Sequence, residues 1–174
     1  GGVGLAAVNG AQIAGAGRIV AVDMSPAKLE LARRFGATDV VDASQGDPVA
    51  RVQELTGGGA EYSFECIGLP ATVEQSFRML QPGGAATIVG LFKPGTRVAV
   101  EGSDFFLEKR LLGSALGSAR IREDIPKLVD LFMQGRLNLR DLVSQRIRLP
   151  QINEGFAAMK DGRVARSVVV FDAV

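Results

Sequence analysis

Two features near the head of the chain could act together chemically: the run Gly1-Gly2-Val3-Gly4 and the carboxylate of Asp23, at roughly the 20-residue spacing of a dinucleotide-binding fingerprint. Glycines opening a helix let the backbone come close to a diphosphate, and the amide donors and dipole of that helix start stabilise its charge. A carboxylate ending the next strand accepts hydrogen bonds from a ribose diol and repels a 2′-phosphate. The pair predicts binding of NAD(H) rather than NADP(H). The same glycines would also serve as a turn with no ligand; Asp23 and the alternation that follows favour the dinucleotide.

Other chemistry is lacking. The sequence has no histidine and one cysteine, Cys66. Protein zinc sites ordinarily include thiolate or imidazole, so a conventional zinc site is not expected from this chain. The usual neutral-pH proton shuttle is missing too, and no catalytic residue is assigned. The 174 residues carry 20 basic and 19 acidic side chains, a net charge of +1. That balance disfavours nucleic acid and anionic membranes as partners. A lone cysteine and the lack of a spanning apolar run suit the cytoplasm.

With 47% hydrophobic content the chain can bury a core, and short β-branched runs alternating with amphipathic ones predict an α/β fold, a parallel sheet with helices on both faces. Helices are expected at residues 3–14, 26–35 (Ser25 capping), 48–55, 70–80, 124–133 and 152–159. Strands are expected at 18–23, 39–41, 62–67, 85–89, 111–116, 145–149 and 167–171, with Pro82-Gly83-Gly84 as a turn. The alternation weakens after Gly90 and ends near Gly117, which divides the chain into residues 1–116 and 117–174.

The fingerprint calls for a strand before its glycines, whereas this sequence begins inside the motif. A doubly wound sheet without that strand leaves two neighbours with unpaired backbone groups. The expectation is a piece of a longer protein, or another segment filling the gap.

The chain resembles the coenzyme domain and C-terminal tail of the zinc-dependent medium-chain alcohol dehydrogenases over essentially its whole length. The resemblance rests on Gly1-Gly2-Val3-Gly4, Val22-Asp23-Met24 with Lys28, Gly36-Ala37-Thr38, Phe64-Glu65-Cys66-Ile67-Gly68, Pro82-Gly83-Gly84, Ile88-Val89-Gly90 and Gly162-Arg163-Val164-Ala165-Arg166. It implies a doubly wound parallel-sheet Rossmann fold, with residues 117–174 returning to a catalytic domain. Gly2 and Val3 would lie under the diphosphate and nicotinamide, Asp23 and Lys28 would hold the adenosine ribose, and Met24 and Ile67 would sandwich adenine. Val89, Ser114 and Leu116 would offer backbone groups to the carboxamide, and Arg166 would reach the diphosphate. The resemblance also implies zinc held by a part outside this chain, an alcohol or aldehyde substrate, and a homodimer or homotetramer joined through edge strands at 111–116.

Plainer roles compete: Cys66 as a small buried hydrophobe, Met24 and Ile67 as core, Lys28, Arg163 and Arg166 as surface charges, and Lys109, Arg110, Arg120 and Arg122 as a solvated cluster. Three other functions share some features. A zinc-free quinone reductase belongs to the same superfamily. An S-adenosylmethionine-dependent methyltransferase also uses a glycine-rich turn and an acidic strand end, but the apolar end of residues 64–68 argues against it. A non-enzymatic NAD sensor would need no catalytic group.

Overall fold

The computed structural model describes residues 1–162 and 164–171; Arg163 of the tail motif lies outside them. Its first half alternates helix and strand: α1 (Gly2–Ile13), β1 (Val20–Asp23), α2 (Pro26–Arg34), β2 (Asp39–Asp42), α3 (Pro48–Thr56), β3 (Ala60–Glu65), α4 (Pro70–Arg78), β4 (Leu80–Ile88) and β5 (Arg110–Gly113). α5 (Ile121–Met133), β6 (Gln145–Ile147), α6 (Ile152–Lys160) and β7 (Ser167–Val169) follow. Three helices begin where proline fixes the first turn, at Pro26, Pro48 and Pro70, a position that has no amide bond to lose. α3 is capped by Asp47, which accepts from the Val49 amide at 2.9 Å, and ends on Gly57 in the left-handed region. Ser25 occupies the cap position of α2 but its side chain makes no cap bond; Asp23 Oδ1 instead accepts from the Ser25 amide at 3.0 Å.

All strand pairs are parallel, in sheets ordered β1-β2, β3-β4-β5 and β6-β7. β1 and β2 are apolar on both faces. Val20, Val22 and Val41 meet Val49, Val52 and Met79 on the α3 side, while Ala21 and Val40 meet Leu5, Ala32 and Phe35 on the α1 and α2 side. That two-sided burial is the mark of an interior parallel strand. A third cluster joins Phe77, Leu80 and Ala86. Fully burying Phe35 and Phe77 contributes about 1.5–3 kcal/mol each.

Among the described residues β1 pairs only with β2, and β3 only with β4. The open edges of these two strands match the gap expected from the sequence, and no described segment fills it.

Several boundaries differ from expectation. The strand expected at 18–23 starts at Val20. β4 begins at Leu80, and Pro82-Gly83-Gly84 is a bulge within it: Ala60 pairs with Leu80 but Tyr62 with Ala85. The strand expected at 111–116 spans Arg110–Gly113, and Leu116, Gly117 and Ser118, all with positive φ, turn the chain beyond it. Lys109 is not solvated: it is buried, ion-paired to Asp104 at 3.0 Å and set over the Phe77 ring. The short helical turn Gly102–Leu107 delivers the carboxylate that makes this burial tolerable. Arg110, Arg120 and Arg122 are exposed.

The tail docks on the first half. Leu142 joins Leu5, Ala32, Phe35 and Ala37 in one core cluster, and buried Asn9 of α1 accepts from the Asn138 amide at 2.8 Å. α5 has no buried residue, so its apolar side, Ile121, Ile125, Leu128 and Val129, is bare.

Candidate coenzyme site

The first helical bond of α1 runs from the Leu5 amide to Gly1 O, at 3.0 Å. The amides of Gly2, Val3 and Gly4 therefore have no acceptor within the helix, which is the donor set an anion needs. α1 packs on β1 through Leu5 and Ala21. A Cβ on Gly4 would lie 3.9 Å from Cys66 Cβ, so the helix rests on the end of β3.

The tail brings a cation to the same place. A Cβ on Gly2 would stand 3.3 Å from Ala165 O and 3.9 Å from an Arg166 guanidinium nitrogen. Lys28 reaches the tail loop from α2, its Nζ lying 3.2 Å from a Cβ built on Gly162. Asp23 spends Oδ1 on the Ser25 amide and has a second oxygen for a ligand. Arg166 and the tail loop thus lie against the start of α1, and Lys28 reaches that same loop.

Met24 and Ile67 are 71% and 59% exposed at the ends of β1 and β3, so neither is a core residue. Cys66 is half-buried rather than buried; burial pushes its thiol up, and Glu65 adds to the effect.

The far end of the site is main chain. The Val89 amide donates to Glu65 O at 2.8 Å and the Ser114 amide to Ile88 O at 2.9 Å. Both residues follow directly on the paired positions Ile88 and Gly113, so they sit side by side, and their main chain can offer a ligand only carbonyls. Leu116, 93% exposed, follows in the turn after β5.

One residue escaped sequence reasoning. Glu65 is buried at the end of β3 and accepts from the Ile67 amide, the Gly68 amide and Thr72 Oγ at 2.8, 2.8 and 2.7 Å. The available signal was a carboxylate set in the apolar run Phe64 to Ile67.

The donors fit a dinucleotide: helix amides and a guanidinium for a diphosphate, a carboxylate for a ribose, two adjacent carbonyls for an amide NH2. They do not fit zinc. With no histidine and one cysteine in the sequence, no group of three or more possible ligands is gathered among the described residues. Nor is any helix among them long and apolar enough to cross a membrane.

Residues 2–134 match the family model described as zinc-binding dehydrogenase. The chain belongs to that family. It is 36% identical over 176 residues to "Alcohol dehydrogenase-like 2" of Arabidopsis thaliana, covering 99% of this chain and 46% of the relative. It is 37% identical over 172 residues to an S-(hydroxymethyl)glutathione dehydrogenase of Synechocystis sp., covering 97% and 47%. The solved benzyl alcohol dehydrogenase of Acinetobacter calcoaceticus superposes with a TM-score of 0.94 at 32% identity, covering 98% of this chain and 47% of that one. The chain therefore spans about half the length of the relatives it matches, and the match is to zinc-dependent medium-chain alcohol dehydrogenases. The methyltransferase, sensor and quinone-reductase alternatives are not favoured.

Proposed function

We propose that this chain forms the NAD(H)-binding half of an alcohol dehydrogenase that moves a hydride between a small alcohol or aldehyde and the coenzyme. The observation that carries this reading is the start of α1, where unbonded amides meet Arg166, with Asp23 ending the strand β1 on which α1 packs. Bound there, NAD(H) supplies the hydride donor or acceptor. The chain's own residues bind and orient it. Gly1, Gly2 and Val3 receive the diphosphate, with Arg166 neutralising its charge. Asp23 and Lys28 hold the adenosine ribose, and Met24 and Ile67 enclose adenine between apolar surfaces. The Val89 and Ser114 carbonyls accept from the carboxamide NH2 while the Leu116 amide donates to its oxygen, fixing which face of the ring meets substrate.

Zinc and the proton relay belong in this reading to a catalytic part outside these residues. That part covers the bare side of α5, and residues 117–174 lead back to it. A strand from outside the chain fills the opening between β1 and β3, and the open edge of β5 pairs with a second copy in a dimer or tetramer. The enzyme works in the cytoplasm, without nucleic acid or membrane. Fluorescence titration of the natural-length protein with NADH tests the reading. Saturable binding is expected, with no displacement by S-adenosylmethionine; displacement by that compound, or no binding, would reject it.

A further inference from the structure

Glu65 does more than the coenzyme reading asks of it. Its side chain collects the Ile67 and Gly68 amides and the Thr72 hydroxyl on Oε1. Its backbone carbonyl collects the amides of Val89 and Gly90, at 2.8 and 3.0 Å. One residue thus ties down the loops that leave both β3 and β4. These loops cross in contact: a Cβ on Gly90 would collide with the Gly68 amide, and one on Gly68, at φ +89°, would collide with Leu91 O. The carboxylate lies under the crossing, where a Cβ on Gly90 would stand 2.5 Å from Oε2. Oε2 is buried and, among the described residues, has no hydrogen-bond partner. Keeping a carboxylate out of water with half its acceptor capacity unused is costly, and a neutral acceptor could tie the first loop.

We propose that Glu65 is a positioning residue for the coenzyme, setting the loop that carries Ile67 in register with the loop that carries Val89. It acts through those residues and does not touch the ligand. This rests on the proposed coenzyme site, in which Ile67 meets adenine and Val89 the carboxamide. Glutamine at position 65 retains one acceptor for the first loop but puts an NH2 group where Oε2 meets Gly90, so the crossing must open. An opened crossing moves Val89 relative to Ile67, and a ligand that spans both loses more than a ligand that uses one.

Two probes separate this from simple destabilisation in the natural-length protein: NAD, which needs both loops, and ADP-ribose, which lacks nicotinamide and needs only the first. Glu65→Gln is expected to weaken NAD about tenfold and ADP-ribose about threefold or less. Thr72→Val removes one donor from Oε1 and keeps the carboxylate. It is expected to give the same ordering with a smaller loss, and it decides the matter should Glu65→Gln not fold. Equal losses for the two ligands, or none, would overturn the proposal. Failure of the unsubstituted protein to bind either ligand would instead remove the coenzyme site itself, and this inference with it.

Discussion

In the proposed site the end of β1 offers side chains, those of Asp23, Met24 and Lys28, whereas the ends of β4 and β5 offer main chain at Val89 and Ser114, whose amides are already used by the sheet. The first end is held loosely: Met24 is 71% exposed and, among the described residues, the Asp23 carboxylate has one hydrogen bond, from the Ser25 amide. The second is held tightly, by the Glu65 ties and the crossing of the Gly68 and Gly90 loops. Side chains encode choice, since one substitution changes what they accept. Main chain encodes geometry, since it changes only when the fold does. The proposed function, choosing between two coenzymes and then aiming a ring at a substrate, would use one of each.

The sharpest way to break the rigid end is Gly68→Ala. A side chain there has both a left-handed backbone and Leu91 O against it, so denaturant unfolding should show a loss of about 4 kcal/mol or more. A loss under about 1 kcal/mol would mean the crossing gives way. At the loose end, Asp23→Ser should leave the fold intact and reduce the preference for NAD over NADP on the order of 100-fold, read as the ratio of dissociation constants. An unchanged ratio would take Asp23 out of the site.

Arg166→Ala should weaken NAD roughly tenfold, and the difference should shrink as salt is raised, since the guanidinium is exposed and screened. A salt-independent loss would point to packing instead. The smallest effect is expected at Ser114→Ala, which leaves the backbone carbonyl in place and should change NAD affinity less than about twofold. A larger change would show that the hydroxyl, 3.3 Å from Ser118 Oγ, takes part.

The same division decides what could be read from the sequence. Asp23 is proposed from its spacing after the glycines, Lys28 and Arg166 from the family resemblance, and α2, α3 and α4 are legible because proline marks each start. β4 was harder. Pro82-Gly83-Gly84 has the composition of a turn, yet pairing with β3 on both sides absorbs it as a bulge. Lys109 read as a solvated cation, since nothing local shows that Asp104 lies close enough to pair with it. Glu65 was given no role for a related reason: its side-chain partners lie up to seven residues ahead in sequence, and its backbone partners in the loop after β4. Long-range register, rather than composition, makes these residues what they are.

The decisive measurement is the structure of the natural-length protein with NADH. It should show the diphosphate oxygens about 3 Å from the Gly2 and Val3 amides, with Arg166 over them and Asp23 on the adenosine ribose. A coenzyme bound elsewhere, with the start of α1 left to water, would contradict the account.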